Sequence, residues 1–465
     1  MTRINTNVNS LISQRVLNQN NKSLNESLTR LSTGLKINSG KDNPAGLIAS
    51  ENLRAEKTGI SQAMANAERA NNIIATAEGG LTEISALLNE MQQLVGEAAN
   101  SGGLSPEELD ANQLQVDSIL STMNRLAQST SFQGVKLLNG NFDYQTSGLD
   151  TTNVGALRVN AARLPDNSSQ NVVVEVVTSA QTATLTGPAA ALGGAATIEI
   201  AGNDGTEQIS LTSGATTADM AAAINSVKTA TGVSATVSGG SLRMDSTEFG
   251  SDQFVSVKTI AGTFTTSGNK DTGRDAVVQI NGARAEAKGL DVSFRASNLD
   301  IEFTLQSAMN SDASADSFSI TGGGGTFALG SKVTETDKAS IGIASVTTGS
   351  LGGKTGKLGE LSSGGANALT GDNLVKAQKI ISEATKQVSQ LRGRLGAFQK
   401  FTIGSTINAL GVAYENASAA ESSIRDTDFA QETSKLTRSQ ILAQASNTVL
   451  SQANSAPQSA LQLLG

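Results

Sequence analysis

The first forty residues carry a stripe of leucines that limits how this chain can fold. The leucines repeat at spacings of seven, four, three and four residues, at Leu17, Leu24, Leu28, Leu31 and Leu35. A period of about 3.5 residues is typical of the seam of a coiled coil. Asparagine and glutamine occupy much of the remaining surface, so the stripe is too thin to bury itself. Because an isolated helix of this kind is only marginally stable in water, the segment needs a partner.

The other end of the chain supplies a candidate partner. Apolar side chains recur there among glutamines, at Ile441, Leu442, Ala445, Val449 and Leu450. Residues 1–40 hold five basic side chains against one acidic one, and residues 411–465 hold three basic against five acidic, so their net charges are +4 and −2. The two ends are therefore predicted to be complementary half-structures, and the ten apolar positions are predicted to serve in subunit packing.

Composition narrows the class of protein. A chain of 465 residues is long enough for about three domains. Only 38% of the residues are hydrophobic, 3% are aromatic and 16% are charged. These values favour long helices packed by alanine and leucine, together with strands rich in threonine, serine and glycine, over a large enzyme core. The net charge of −8 argues against a general nucleic-acid-binding protein, whose surface would carry a basic stripe.

The absence of histidine and cysteine from the sequence excludes several kinds of site. A Ser-His-Asp triad, a Cys-His dyad, a Cys/His metal cage and a disulfide framework all need one of these residues. We therefore predict no cofactor and no metal. The N-terminal residues lack the apolar region of a secretory signal peptide, and no apolar run is long enough for a membrane helix, so neither is expected.

Three further segments have the pattern of long helices. One begins at Asn43 and Pro44 and has its clearest apolar stripe at residues 81–95. The next begins at a capping-box sequence, residues 105–108, and the last begins at Asp372. The last segment has the most regular stripe, with apolar residues alternating at three and four positions from Leu374 to Phe398. An antiparallel bundle of these three helices is the predicted packing.

Between the helical segments the period changes to that of strands. Short β-branched or alternating runs occur at residues 172–177, 197–200, 277–280 and 299–303. One amphipathic helix, residues 218–227, interrupts them and predicts a small α+β module near residues 190–260. Glycines at 322–325 and 349–365 predict turns or linkers.

The predicted fold class is mixed and multidomain. A terminal coiled-coil domain would contain residues 1–43 and 411–465, and a helical bundle would contain residues 44–140 and 371–410. A β-rich insert, residues 141–370, would follow from the change of period.

Long motifs at both ends resemble those of bacterial flagellins. They are LSTGLKINSGKDNPAG at residues 31–46, SFQGVKLL at residues 131–138, DTDFA at residues 426–430, SQIL at residues 439–442 and QANSAPQ at residues 452–458. Residues 198–257 also resemble a module repeated in flagellin and hook-associated proteins.

The resemblance implies a secreted, extracellular structural subunit, without catalysis, that forms the flagellar filament as a homopolymer through its terminal helices. It also implies that the β-rich insert, residues 141–370, is surface-exposed. It also implies four partners: the flagellar type III export apparatus, an export chaperone, the filament cap and the hook–filament junction proteins.

Other interpretations remain open at this stage. A hook–filament junction protein would share the terminal coiled-coil design, and the heptad stripes could be the core of an ordinary monomer. Gly352–Gly353–Lys354–Thr355 resembles the end of a phosphate-binding loop, although Thr348 replaces a required glycine. Asp426 and Asp428 could bind a cation or cap a helix. An enzyme hidden in the insert would need only carboxylates, lysine or serine.

Overall fold

The computed structural model describes residues 6–100, 103, 105–164, 168–370 and 373–462, with side chains up to residue 456. It contains two compact units. The first combines Met1–Arg69, Ala328–Asp337 and Phe401–Gly465, and the second combines Ala70–Phe327 and Lys338–Lys400. Both ends of the chain therefore belong to one unit, while most of the strands belong to the other. The three predicted domains have different boundaries and stay a prediction.

Helices form both ends of the chain, as the sequence predicts. The α-helices found in the described residues are α1 (Val8–Thr33), α2 (Pro44–Ala98), α3 (Pro106–Ser129), α4 (Thr217–Ser226), α5 (Lys228–Thr231), α6 (Leu374–Ala397), α7 (Ser405–Arg425) and α8 (Phe429–Gln462). Glu335–Asp337 and Leu358–Leu361 form short 3-10 helices. A π-helical segment, Phe398–Gly404, joins α6 to α7.

Local capping contacts determine where α2 and α3 begin. The backbone N–H of Gly46 donates to Asn43 Oδ1 at 2.9 Å, and Pro44 is the first residue of α2. The N–H of Glu108 donates to Ser105 Oγ at 3.3 Å, and the N–H of Ser105 donates to Glu108 Oε2 at 2.8 Å. Both predicted starts are confirmed. Such contacts satisfy N–H groups of the first turn without any tertiary partner, which is why the sequence alone reveals them.

In the second unit, α2, α3 and α6 each bury one apolar stripe. The predicted stripe of α2 is confirmed, because each of its members exposes 1% of its surface or less: Leu81, Ile84, Leu88, Met91 and Val95. The stripe of α6 is confirmed from its second turn onward, at Ala377, Ile381, Ala384, Val388, Leu391 and Leu395. Asn373 precedes α6, and Asp372, the predicted cap, lies outside the described residues.

Strands occupy the middle of the chain. They are β1 (Ser131–Phe132), β2 (Val135–Lys136), β3 (Tyr144–Ser147), β4 (Val154–Ala162), β5 (Gln170–Thr178), β6 (Thr184–Thr186), β7 (Ala196–Ala201), β8 (Thr206–Leu211), β9 (Val233–Ser238), β10 (Ser241–Ser246), β11 (Phe254–Ala261), β12 (Lys270–Thr272), β13 (Val277–Ile280), β14 (Ala283–Arg284), β15 (Glu286–Lys288), β16 (Asp291–Arg295), β17 (Leu299–Leu305), β18 (Ser314–Gly323), β19 (Gly325–Ala328) and β20 (Lys338–Ile341). All four strand segments singled out in the sequence lie within β5, β7, β13 and β17.

Two antiparallel sheets share one core in the second unit. Their strand orders are β14-β13-β5-β18-β3 and β15-β16-β17-β4. In β5, Val172, Val174 and Val176 are buried, while the residues between them are exposed. This alternation points every second side chain toward the core. The core they enter also contains Ile301 and Phe303 of β17.

A separate core forms around α4. The sheets β12-β11-β7-β8 and β6-β10-β9 contribute to it, and Met220 and Ile224 of α4 are fully buried there against residues such as Ile198. A capping box between Thr216 and Asp219 starts α4. The helix therefore lies where the sequence predicts one, at the centre of the proposed α+β module.

Two segments differ from the sequence prediction. Gly322–Gly325 is predicted to form a turn or a linker, but β18 continues to Gly323 and β19 begins at Gly325. Gly323 has φ of +85°, and a Cβ there would lie 2.2 Å from the carbonyl oxygen of Asp143. Glycine is therefore needed for a close approach of two backbones.

The glycine-rich residues 349–365 form turns as expected, but they are packed against the helices. Leu351, Leu358 and Leu361 are buried, and the side chain of Gln387 in α6 both donates to and accepts from the backbone of Gly352. This segment is part of the second unit's core and is poorly described as a linker.

Candidate functional site

Helices α1 and α8 pack against each other in the first unit. Asn7 Nδ2 donates to the carbonyl oxygen of Ala453 at 2.7 Å, and Arg30 Nη1 lies 3.8 Å from Glu432 Oε1. Residues near the start of α1 therefore contact residues near the end of α8, and residues near the end of α1 contact residues near the start of α8. The two terminal helices therefore form an antiparallel pair.

The face that α1 turns toward α8 has a regular heptad spacing. Its members are buried or partly buried and alternate at three and four residues: Ser10, Ser13, Leu17, Asn20, Leu24, Ser27 and Leu31. The three serines are the buried members. Asn20 Nδ2 donates to Ser446 Oγ at 2.7 Å across this contact. The seam is therefore narrow and largely polar.

The facing stripe of α8 has the same spacing and a similar composition. Its members are Glu432, Leu436, Ser439, Ala443, Ser446, Leu450 and Ala453. Only Glu432, Ala443 and Ser446 expose less than a tenth of their surface among the residues described. We refer to these two stripes together as the seam.

The predicted leucine stripe enters the seam only in part. Leu17, Leu24 and Leu31 are partly buried members of it, while Leu28 exposes 46% of its surface. Leu35 lies beyond the end of α1, where it forms a β-bridge with Asp426. Gly34 ends the helix in a left-handed conformation with φ of +73°, so the helical period does not extend to Leu35.

The predicted apolar residues of α8 mostly face away from α1. Ile441, Leu442 and Val449 expose 61%, 46% and 56% of their surfaces, and Ala445 is exposed as well. Leu450 alone of the predicted set is a partly buried seam residue. At 3.6 residues per turn, Ile441 lies opposite the seam and Ala445 lies well away from it, while Leu442 and Val449 lie on its flanks.

A second set of exposed apolar residues lies on α1 and was missed by the sequence analysis. Val8, Leu11, Ile12 and Val16 expose between 41% and 63% of their surfaces. Val8, Ile12 and Val16 are four residues apart and Leu11 follows Val8 by three, which was a usable helical signal. These four residues, together with Ile441, Leu442, Ala445 and Val449, are called the outer face below.

Ion pairs join α7 to the first part of α2 within the same unit. Glu421 accepts from Lys57 Nζ at 2.9 Å, and Glu51 accepts from Arg425 Nη1 at 2.7 Å. The hydrogen bond from Arg425 holds the pKa of Glu51 below its usual value, and the hydrogen bond to Glu421 raises the pKa of Lys57. These contacts also explain why α7 continues to Arg425 where the sequence pattern is weak.

The local geometry at Asp428 favours a cap. Asp428 Oδ1 accepts from the backbone N–H groups of Ala430 and Gln431 at 2.9 and 3.1 Å, at the first turn of α8. Within the described residues, no group of three histidine, cysteine, aspartate or glutamate side chains could hold a metal ion. None of the helices in that part of the chain is long and apolar enough to cross a membrane.

These features define a structural protein whose helical ends pair through a polar seam and whose middle is built from antiparallel sheets. Three family models match the chain: the bacterial flagellin N-terminal helical region at residues 4–143, the bacterial flagellin C-terminal helical region at residues 378–464, and the flagellin hook IN motif at residues 197–248. The chain belongs to the bacterial flagellin family. It is a structural subunit of the flagellar filament.

Full-length relatives carry the same assignment. The chain is 31% identical to polar flagellin B/D of Vibrio parahaemolyticus over 465 residues, with 99% of each chain covered. It is 31% identical to flagellin of Salmonella typhimurium over 505 residues, again with 99% of each covered. These relatives are named as flagellins, which favours a filament subunit over a hook–filament junction protein.

Solved structures give much weaker likenesses. The chain aligns with FliC from Burkholderia pseudomallei at 17% identity and a TM-score of 0.25, covering 71% of this chain and 99% of that one. FlgL from Xanthomonas campestris aligns at 13% identity and a TM-score of 0.29, covering 79% and 98%. We draw no conclusion about this chain from TM-scores this low.

Proposed function

We propose that the subunits join into a homopolymer through the outer face of α1 and α8. The observation that supports this proposal is the distribution of apolar side chains on the pair. The seam within one chain buries mainly serine and alanine, while Leu11, Ile12, Ile441 and Val449 remain open to solvent. Soluble helices normally turn their apolar stripe toward a core, so an apolar stripe on the open side needs a neighbouring chain.

The free energy of burying apolar side chains favours assembly of subunits over a stable α1–α8 pair in a free subunit. Fully burying one valine, leucine or isoleucine side chain contributes about 1.5–3 kcal/mol. The outer face offers seven such side chains, whereas the seam offers only partly buried leucines. Because ordering a helix costs conformational entropy, we expect the pair to be marginal in a free subunit and to become rigid when neighbours cover the outer face.

Repetition of one contact is sufficient for a filament. A head-to-tail contact between identical subunits produces an open helix when its rotation does not close. The β-rich insert would then face solvent at the outside of the polymer, as the predicted three-domain organisation requires. A polymer of this kind needs no catalytic centre, and we infer that the chain has none.

The family membership supports the remaining parts of the proposal. We infer that the filament is extracellular and that the subunit leaves the cell through the flagellar type III export apparatus with the help of an export chaperone. The filament cap and the hook–filament junction proteins would contact the polymer at its two ends. Marginal terminal helices fit this route, because an export channel favours an unfolded end.

A matched pair of double variants tests the outer face. Ile441→Ser with Val449→Ser removes two of its exposed side chains, while Ile260→Ser with Val237→Ser removes the same residue types from β11 and β9, where they expose 47% and 46%. Seeded polymer growth is followed by light scattering and electron microscopy. The α8 variant is expected to lose elongation, and the control is expected to elongate normally.

Circular dichroism of the dilute subunits shows whether each variant keeps its helices. Growth of the α8 variant at the unmodified rate would refute the proposed surface. Equal loss in both double variants would also refute it, because the effect would then depend on general surface polarity.

A further inference from the structure

A cavity in the second unit brings three arginine side chains together. It has a volume of about 260 Å³ and lies between α6 and the sheet that contains β4, β16 and β17. Arg158 of β4, Arg295 of β16 and Arg394 of α6 contribute to its wall, and Glu302 of β17 is the one acidic residue among the lining residues described. The lining therefore carries a net charge of +2.

Two of these guanidinium groups have no protein partner in the described part of the chain. Glu302 Oε1 accepts from Arg295 Nη2 at 3.3 Å, which satisfies part of Arg295. Among the described residues, neither Arg158 nor Arg394 has a side-chain hydrogen bond or an ion pair, and Arg394 Nε is enclosed without an acceptor. Buried donors in proteins nearly always have a partner, so this cluster calls for one.

The electrostatic setting agrees with that requirement. Burial lowers the pKa of Arg158 and of Arg394, and for Arg394 the nearby charges of Arg158 and Arg295 act in the same direction. Acidic groups act in the opposite direction: Asp300 and Glu302 raise the pKa of Arg394, and Glu302 and Asp143 raise that of Arg158. The guanidinium groups stay charged at neutral pH, because the ordinary pKa of arginine lies far above neutrality. Like charges held together in a partly enclosed space favour an anion.

We propose that this cavity binds a small oxyanion with two negative charges, either inorganic phosphate or sulfate or the phosphate group of a monoester. The planar fork of a guanidinium group matches the oxygen spacing of such anions and binds them through two hydrogen bonds. A charge of −2 would balance the net charge of the lining. None of the lining residues belongs to the outer face, so this proposal does not depend on the proposed assembly surface.

The surroundings restrict where the anion would lie. The cavity opens into a wider groove of about 680 Å³ that shares Arg158 and Arg295. Six basic and five acidic side chains line that groove, so its charges nearly cancel and the inner cavity is the preferred place for an anion. The groove leaves room for an organic substituent, which is why a sugar phosphate is included among the candidates.

Binding is measured on the full chain at a dilution that keeps it monomeric. Inorganic phosphate and glucose 6-phosphate are titrated by equilibrium dialysis, and thermal unfolding is recorded in phosphate and in chloride at matched ionic strength. Phosphate is expected to raise the melting temperature more than chloride does. Comparable affinity for both probes indicates that the groove accepts a substituent, and binding of phosphate alone restricts the site to an inorganic anion.

Variants test the assignment of residues. Arg158→Gln and Arg394→Gln are each expected to weaken phosphate binding about tenfold, the change expected from losing one charge-assisted contact. Arg394→Lys keeps the charge without the fork and should give an intermediate affinity. Arg284→Gln, an exposed arginine on β14, is the matched control and should bind as the unmodified chain does.

Three outcomes would overturn the proposal. They are equal melting temperatures in phosphate and chloride with no dialysis signal, unchanged binding in both glutamine variants, or equal weakening by Arg284→Gln. Far-UV circular dichroism in chloride tests whether each variant is folded. If a glutamine variant does not fold, Arg394→Lys takes its place in the comparison.

Discussion

The α1–α8 seam and the buried stripe of α6 share the same spacing but bury different residues. In α6 the stripe contains Ile381, Val388 and Leu395, which expose 1% of their surfaces or less. In the seam the buried members of α1 are serines. Burial of large apolar side chains stabilises a helix strongly, whereas burial of hydroxyl groups gives little net stabilisation. A heptad spacing thus identifies a helix, and the residues on it decide whether the helix is stable within its own chain.

The two regions also differ in what they leave exposed. The stripe of α6 takes up most of that helix's large apolar side chains, although Val375 near its start is 55% exposed. The terminal pair leaves its outer face uncovered along both helices. The second unit therefore buries its apolar stripes within one subunit, whereas the exposed apolar residues of the terminal pair are the basis of the proposed contact between subunits.

The largest expected effect comes from the core of the second unit. Leu88→Ala removes a fully buried side chain of α2 and should lower the free energy of unfolding by about 2–5 kcal/mol, through lost burial and a residual cavity. Leu114→Ala on α3, where leucine is 67% exposed, is the control and should change it by about 0.5 kcal/mol or less. Denaturant unfolding followed by circular dichroism measures both. Similar losses of stability in the two variants would contradict the view that burial of apolar side chains in the second unit stabilises its helices.

An intermediate effect is expected from making the seam apolar. Ser13→Leu with Ser27→Leu places two leucines at buried seam positions and should stabilise the pair by up to about 2 kcal/mol for each leucine. The dilute subunit should then resist proteolysis at both ends for longer. Ser23→Leu adds one leucine to an exposed position of α1 and should leave the cleavage rate nearly unchanged. Faster cleavage of the double variant would show that the seam is already filled, and would argue against a marginal pair.

The smallest effect is expected from an ion pair of the first unit. Arg425 lowers the pKa of Glu51 in the folded chain from its usual value of about 4.5. This contact therefore contributes stability above pH 4.5 and loses it as the pH falls through the lower, folded pKa. Glu51→Gln should lower the melting temperature slightly at pH 7, and the difference from the unmodified chain should vanish under strongly acidic conditions.

Glu56→Gln changes an exposed carboxylate of the same helix and serves as the control. Melting curves between pH 2 and pH 7 would compare the two variants. A difference that grew on acidification would have the wrong sign and would exclude the proposed role of Arg425.

Local signals were sufficient to predict much of the fold. Asn43 and Pro44 mark the start of α2, and Ser105 with Glu108 marks the start of α3, because a cap is made by residues three positions apart. The strands also follow from alternation within each segment. One member of the predicted leucine stripe lies outside the helix: Leu35 has the right spacing, but Gly34 ends α1 in a left-handed conformation.

The sequence predicted the two helices that form the candidate site, but it predicted few of the contacts between them. The sequence correctly indicated that the two terminal segments are helical, and the structure pairs them. It could not indicate that α8 turns Glu432 and Ser446 inward and leaves Ile441 outward. Both faces have helical spacing, and the choice between them depends on the partner available.

Local patterns and composition were enough to predict where helices begin and which segments are strands, to exclude histidine and cysteine chemistry, and to identify flagellin motifs at both ends. All of these depend on residues close together in the chain or on composition. The folded chain was needed to show which face of α1 meets which face of α8, that Glu421 joins α7 to α2, and that three arginines from separate elements line one cavity. Such contacts join residues far apart in sequence, and their free energies depend on distances and burial that no local pattern contains.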